Sequence, residues 1–291
     1  MNKIVRLLVS SLLFSYFCVN LDVRKMLQFI CLGSGSSGNC YYLYTENGGI
    51  VIDLGIGIRS FKKYFRDYGL SMAKVKAIFI THEHADHIKA VGAVSNELGV
   101  PVYATELVHH GIVKNYCVTT KVKKENIKVF TVGENIDICD FHLTTFTVPH
   151  DSSDNVGYSI NHEDKNFCLI TDAGCVTDEM CSFIRKADYL VLEANYEMDL
   201  LEAGPYPRYL KERIMSGRGH LCNTETARTL VEHTSEKLKH VWLCHLSEEN
   251  NHPELARKNI SAELFSKKED INKDLILDVL RRKTPSGIYN L

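Results

Sequence analysis

Thr81-His82-Glu83-His84-Ala85-Asp86-His87 packs three histidines and two acids into seven residues. The run before it, Val75-Lys76-Ala77-Ile78-Phe79-Ile80, is apolar and partly β-branched, which reads as a buried strand. The run after it, Ile88 to Leu98, has helical character. The cluster is therefore expected in a loop at the end of a core strand, where a rigid scaffold presents chemistry. Imidazole and carboxylate are ligands for Zn²⁺, Mn²⁺ or Fe. His82 and His84, two apart, point the same way in extended backbone, and Asp86 and His87 can turn toward a second point. HExxH would need a histidine where Asp86 stands, so the helical metalloprotease site is excluded.

The chain has 291 residues, room for one large domain or two small ones, and its hydrophobic content of 45% supports a sizeable core. A formal charge of −2 gives no global basic footprint for nucleic acid, although bound divalent cations would add local positive charge. None of the ten cysteines forms a CxxC pair, which argues against a zinc ribbon or thioredoxin-type site. Most lie in apolar runs, as buried free thiols of a reducing cytoplasm would. Residues 1–25 are read apart. Lys3 and Arg6 precede an apolar run, Leu7 to Val19, that resembles a signal peptide without a clear cleavage site and is short for a membrane span. Met26 directly precedes the first clear strand, so residues 1–25 are read as an upstream extension or signal-like segment and 26–291 as the folded domain, with no stable membrane association.

Gly33-Ser34-Gly35-Ser36-Ser37-Gly38 fits the dinucleotide fingerprint G-x-G-x-x-G, and Asp53 stands about twenty residues on, where that fold keeps its ribose acid. The fingerprint needs a helix straight after the glycines, whereas Cys40 to Thr45 reads as a strand, so the stretch is taken as a tight turn near a site. Strands alternate with helices through Ala104, with helices near 60–68, 209–215, 224–233 and 253–264, as in an α/β layered domain. Apolar strands repeatedly run into chemistry: into Asp53, the histidine cluster, His150, Asp172, Glu193 and His245. Strand ends that converge on one sheet edge would gather these groups.

His82-x-His84-x-Asp86-His87 followed by His150, Asp172 and a late His245, with Asp53 early, resembles the metallo-β-lactamase fold over residues 27–291. The resemblance implies a four-layer αβ/βα sandwich with a dinuclear metal site at one edge. Within that superfamily the likeness runs to the YycJ/WalJ group of exonucleases, through the Gly33 to Cys40 stretch, Glu193-Ala194-Asn195, Gly204-Pro205-Tyr206-Pro207, Gly219-His220-Leu221-Cys222-Asn223 and His245 to Asn251. Serine is expected where Cys222 stands, a departure that touches the expected substrate face.

The resemblance implies that His82, His84 and His150 hold one metal, that Asp86, His87 and His245 hold the other, and that Asp172 bridges them. Asp53 would orient the histidine loop. Glu193 and His220 resemble the pair that tRNA-processing relatives place beside the scissile phosphate, so the chemistry is expected of Asp86, Asp172, His220 and Glu193. The metals are expected to be Zn²⁺ or Mn²⁺. The implied activity is phosphodiester hydrolysis, as a 5′-to-3′ exonuclease on double-stranded DNA. The alternatives are a small-molecule ester or thioester hydrolase of glyoxalase II or lactonase type, and a non-catalytic metal-binding module. Seven other histidines (His109, His110, His142, His162, His233, His240 and His252) lack this context and are read as structural or solvated.

Overall fold

The computed structural model describes residues 26–267 and 272–291, so the reading of residues 1–25 lies outside the described residues. Two seven-stranded sheets form its centre. The first contains β1 (Gln28–Gly33), β2 (Cys40–Tyr44), β3 (Gly49–Ile52), β4 (Val75–Phe79), β5 (Val102–Ala104) and β6 (Ile127–Val129). The second contains β7 (Asn135–Ile138), β8 (Phe141–Thr147), β9 (Val156–His162), β10 (Lys165–Ile170), β11 (Tyr189–Glu193), β12 (His240–Cys244) and β13 (Ile276–Val279). β14 (Tyr289–Asn290) returns to pair with β1. Each sheet is antiparallel in one half and parallel in the other, β3 to β6 in the first and β10 to β13 in the second.

Side-chain alternation explains the layers. In β4, Ala77 and Phe79 face the second sheet, where they join Phe29, Tyr41, Phe141, Tyr158, Phe167 and Trp242. Ile78 faces the other way, toward Val91, Val94, Val108 and Ile112. β12 repeats the pattern, with Trp242 and Cys244 between the sheets and Val241 and Leu243 packed under Leu230, Ile260 and Leu264. Strands buried on both faces need continuous apolar runs, which is why they read clearly in the sequence. Full burial of one such side chain contributes about 1.5–3 kcal/mol, so this double core dominates the stability of the sandwich.

The outer layers are α1 (Ile58–Asp67), α2 (Ala85–Ile88), α3 (Val91–Leu98) and α4 (Glu106–Lys114) on one side. On the other are α5 (Asp178–Ile184), α6 (Met198–Ala203), α7 (Arg208–Ile214), α8 (Asn223–His233) and α9 (Pro253–Lys267). The α/β architecture is the four-layer αβ/βα sandwich expected. Among the described residues no helix is long and apolar enough to cross a membrane.

Three local expectations change. Asp86 and His87 lie in the helical turn α2, with His84 at its N-cap, and not in an open loop. The helical run read from Ile88 breaks at Lys89 and Ala90 before α3 begins. Cys139 and Cys175 are exposed, although the other seven described cysteines are at least partly buried and all nine are free.

Candidate metal centre

Most of the expected site residues sit at or just beyond strand ends on one edge of the sandwich, and His220 reaches the same edge from the turn between α7 and α8. Asp53 follows β3, His82 follows β4 by three residues, His150 follows β8, Asp172 follows β10, Glu193 ends β11 and His245 follows β12. Asp53, Asp172 and His245 leave their strands with φ of 61°, 55° and 53°. Left-handed backbone at a non-glycine residue costs about 1–3 kcal/mol and persists where surrounding structure enforces it.

The helical turn α2 carries Asp86 and His87 round toward His245, with the His87 ring centroid still 4.1 Å from that of His82. This turn is held by Asn39, which follows the Gly33–Gly38 turn, and by Leu54, which follows β3; a strand, not a helix, comes after the glycine turn. The Asn39 and Leu54 amides donate to the Asp86 and His87 carbonyls, at 2.7 and 2.6 Å. Contact is so close that a Cβ on Gly55 would lie 1.6 Å from the Asp86 carbonyl oxygen.

Six imidazoles form a closed ring around Asp172. Neighbouring centroids are 4.6 Å apart for His82–His84, 5.0 Å for His84–His150 and 5.2 Å for His150–His220. The ring continues at 5.3 Å for His220–His245 and 5.8 Å for His245–His87, and closes at 4.1 Å for His87–His82. Within it, donor atoms of His82, His84 and His150 lie within 4.8 Å of one another, as do those of Asp86, His87 and His245. Asp172 touches both groups, with Oδ2 3.2 Å from His87 Nε2 and Oδ1 3.8 Å from His150 Nε2.

Tautomers follow from fixed acceptors. His150 Nδ1 donates to the Gly219 carbonyl at 3.0 Å, His87 Nδ1 to Asp53 Oδ2 at 2.7 Å and His245 Nδ1 to Glu193 Oε1 at 3.0 Å. The Thr81 hydroxyl donates to Asp53 Oδ2 at 2.9 Å and so accepts from His82 Nδ1 at 3.0 Å. Four imidazoles therefore turn Nε2 toward the centre, and His82 Nε2 is fully buried with no hydrogen-bond partner. An orphaned buried nitrogen among imidazoles and carboxylates is the donor set of divalent cations.

Charge distribution agrees. Burial, with His87 beside it, holds His82 well below the usual imidazole range, so its imidazole is neutral. Burial opposes charge on Asp172 and Asp86 too, but the surrounding imidazoles outweigh it and hold both carboxyls well below their usual range. The same pairing overcomes burial at His87, and at His245 it pushes the imidazole up to about 10.

Glu193 is fully buried and accepts four hydrogen bonds. Oε2 takes the Ala173 and Leu221 amides at 2.8 and 3.2 Å, and Oε1 takes His220 Nδ1 at 2.8 Å besides His245 Nδ1. His220, with its side chain 20% exposed, borders a cavity of about 200 Å³ that Ser36, Asn195, Tyr206, Arg213 and Ser247 also line.

A family model described as the β-lactamase superfamily domain matches residues 49–245. The chain belongs to this superfamily. It is 33% identical over 241 residues to exodeoxyribonuclease YycJ of Bacillus anthracis, covering 83% of this chain and 90% of that protein. It is 33% identical over 237 residues to exodeoxyribonuclease WalJ of Streptococcus pneumoniae, covering 81% and 88%. The crystal structure of the metallo-β-lactamase fold protein YhfI from Bacillus subtilis matches at a TM-score of 0.67 and 17% identity, covering 92% and 100%, which bears on the fold alone. This superfamily member is a metal-dependent hydrolase, similar to the YycJ and WalJ proteins.

Several residues at the centre carried no signal in residue type. Asn39 Nδ2 lies 2.9 Å from His87 Nε2, and Asn195 Nδ2 donates to the His245 carbonyl at 2.8 Å. The His245 amide donates to Ser34 Oγ at 2.9 Å. Asp151, the neighbour of His150, has Oδ1 3.3 Å from His150 Nε2. Cys222 does not face the substrate side. It is the buried N-cap of α8, its Sγ accepting the Glu225 amide at 3.4 Å, a position where serine is a usual cap.

Proposed function

We propose that this hydrolase is a dinuclear-metal phosphodiesterase acting on DNA, and that it degrades double-stranded DNA from 5′ to 3′. The reading rests on the Glu193–His220 pair at 2.8 Å, set beside Asp172 on a cavity wall. The names of the YycJ and WalJ relatives support the substrate. His82, His84 and His150 would hold one cation, Asp86, His87 and His245 the other, and Asp172 both, with Zn²⁺ and Mn²⁺ equally suited to the donors. Bound cations would supply positive charge that polarises a phosphoryl oxygen and makes a water molecule more acidic.

The protein's own groups do the rest. Asp53, fixed by Thr81 and His87, locks the histidine cluster to the end of β3. Asp86 and Asp172, held ionised, accept hydrogen bonds from the attacking water and orient it, and its proton leaves to solvent. Burial lowers the proton affinity of His220, but the Glu193 charge and hydrogen bond more than offset this and raise it. His220 therefore holds a proton on Nε2, where it can pass to the departing oxygen. Glu193 keeps Nδ1 occupied, so only Nε2 faces the cavity. Free, mostly buried thiols favour a cytoplasmic setting.

The test is polarity. A duplex labelled at the 5′ end of one strand is expected to release labelled mononucleotide before any 3′ label is lost. Release of the 3′ label first, or internal cuts, would refute the polarity. Hydrolysis of thioesters or lactones by protein inert on DNA would refute the substrate.

A further inference from the structure

α7 (Arg208–Ile214) and the turn after it form one rim of the cavity beside His220. Two arginines on this rim are tied to consecutive residues of the metal loop. Arg213 Nε donates to Asp151 Oδ2 at 2.5 Å, and Arg218 Nε donates to the His150 carbonyl at 2.9 Å. Each guanidinium is held through Nε, with its two Nη groups left over, and no other acceptor among the described residues meets the Arg213 guanidinium. Arg213 lines the cavity with His220, and its side chain is 59% exposed. The neighbouring cations Arg208, paired with Glu212, and Lys211, which donates to the Glu202 carbonyl, are not among the residues lining the cavity.

An arginine fixed at one end presents a planar fork, which suits phosphate oxygens better than a mobile ammonium does. The anchor matters because Asp151 adjoins His150, so the distance from the fork to the metal ligands is fixed by the loop itself. The cavity, at about 200 Å³, falls below the 300–1,000 Å³ usual for whole small-molecule ligands, so it takes one group of a larger substrate.

We propose that Arg213, held by Asp151, binds the phosphate adjoining the scissile one in a nucleic-acid strand, and that this contact favours a polynucleotide over an isolated phosphodiester. The inference rests on the phosphodiesterase reading above and adds the determinant of its substrate class. Asp151 acts through Arg213 and is a positioning residue.

The experiment compares metal-loaded wild type, Arg213→Ala and Arg213→Lys on a 5′-phosphorylated duplex and on bis(p-nitrophenyl) phosphate, which has no adjoining phosphate. For Arg213→Ala the ratio of kcat/KM on DNA to kcat/KM on the small diester is expected to fall about 10- to 100-fold, as loss of a charge-assisted hydrogen bond gives. The loss should lie in KM for DNA, and Arg213→Lys should recover part of it. The dependence of DNA binding on salt should also weaken by about one counterion. Wild-type protein that cleaves DNA while Arg213→Ala keeps the same ratio would overturn this inference alone. Wild-type protein inert on DNA would overturn the nuclease reading and this inference together.

Discussion

Replacing Glu193 with glutamine disturbs both tasks proposed for this edge of the sandwich, metal holding and proton donation. The carboxylate is buried and surrounded by four donors: two backbone amides on Oε2, and His220 and His245 Nδ1 on Oε1. Glutamine keeps the shape but brings one oxygen and one NH₂ group. The amides cannot change role, so the oxygen must face Ala173 and Leu221, and the NH₂ must face the two imidazoles. Each Nδ1 then has to accept, which moves its proton to Nε2. At His245, Nε2 is the atom turned toward Asp86, 3.4 Å away, and a proton there blocks ligation. Changes of this kind behind a ligand cost about 10–100-fold in metal affinity. At His220 the Glu193 charge that raised its proton affinity is gone while burial still lowers it, so the acidic imidazolium form is depleted and the neutral Nε2–H imidazole that replaces it is a poor proton donor. Loss of a general acid costs about 10²–10⁴-fold in rate. Glu193→Gln should therefore lose metal affinity and kcat together, measured by metal titration and by cleavage at saturating metal. His220→Ala should lose rate alone and keep its metals. Glu193→Gln with metal affinity and kcat both within about threefold of wild type would refute this reasoning.

Asp172→Ala removes the carboxylate that touches both ligand groups, and it should lose bound metal and activity together, as metal analysis and cleavage assays on one preparation would record. Gly55→Ala would place a methyl group 1.6 Å from the Asp86 carbonyl oxygen, which forces the backbone apart. Such overpacking costs about 1–3 kcal/mol, so chemical denaturation should show a loss of that size, with weaker metal binding because Asp86 and His87 shift. Metal binding should also release protons at pH 7, since the metal-free protein holds protons on His245, pushed up to about 10, and on His87, raised well above its usual value. Bound cations displace those protons, so affinity should rise with pH until the imidazoles are free of them. Calorimetry in two buffers of different ionisation enthalpy checks this, and absence of proton release at pH 7 would contradict it.

The strands were legible because most are buried on both faces and so read as unbroken apolar runs ending in chemistry. His240-Val241-Trp242-Leu243-Cys244 before His245 is an example. The metal-type residues were legible because their side chains are costly to gather without a cation. What the sequence hid is of another kind. α4 (Glu106–Lys114) went unread because its apolar residues lie on both faces, with Leu107 and Val113 exposed and Val108 and Ile112 buried. α5 and α6, short helices of seven and six residues, went unread as well. Asn39, Thr81 and Asn195 act through amide and hydroxyl geometry that any loop asparagine or threonine could supply. The Asp151–Arg213 pair joins residues 62 apart in sequence, and only the fold brings them together. Cys222 looked like a change on the substrate side because its neighbours His220 and Leu221 flank the site, but the backbone turns it inward to cap α8.

The central claim, a two-cation site that cuts DNA, is tested most directly by one comparison. Protein beginning at Met26 would be loaded with Mn²⁺ or Zn²⁺, its metal content measured, and its cleavage of labelled double-stranded DNA set against His84→Ala prepared in parallel. The account predicts two metal ions per chain and metal-dependent cleavage in the wild type, with less metal and no cleavage in the variant. Cleavage that survives His84→Ala or removal of metal by a chelator would contradict it, as would a wild type that binds two metals and leaves DNA intact.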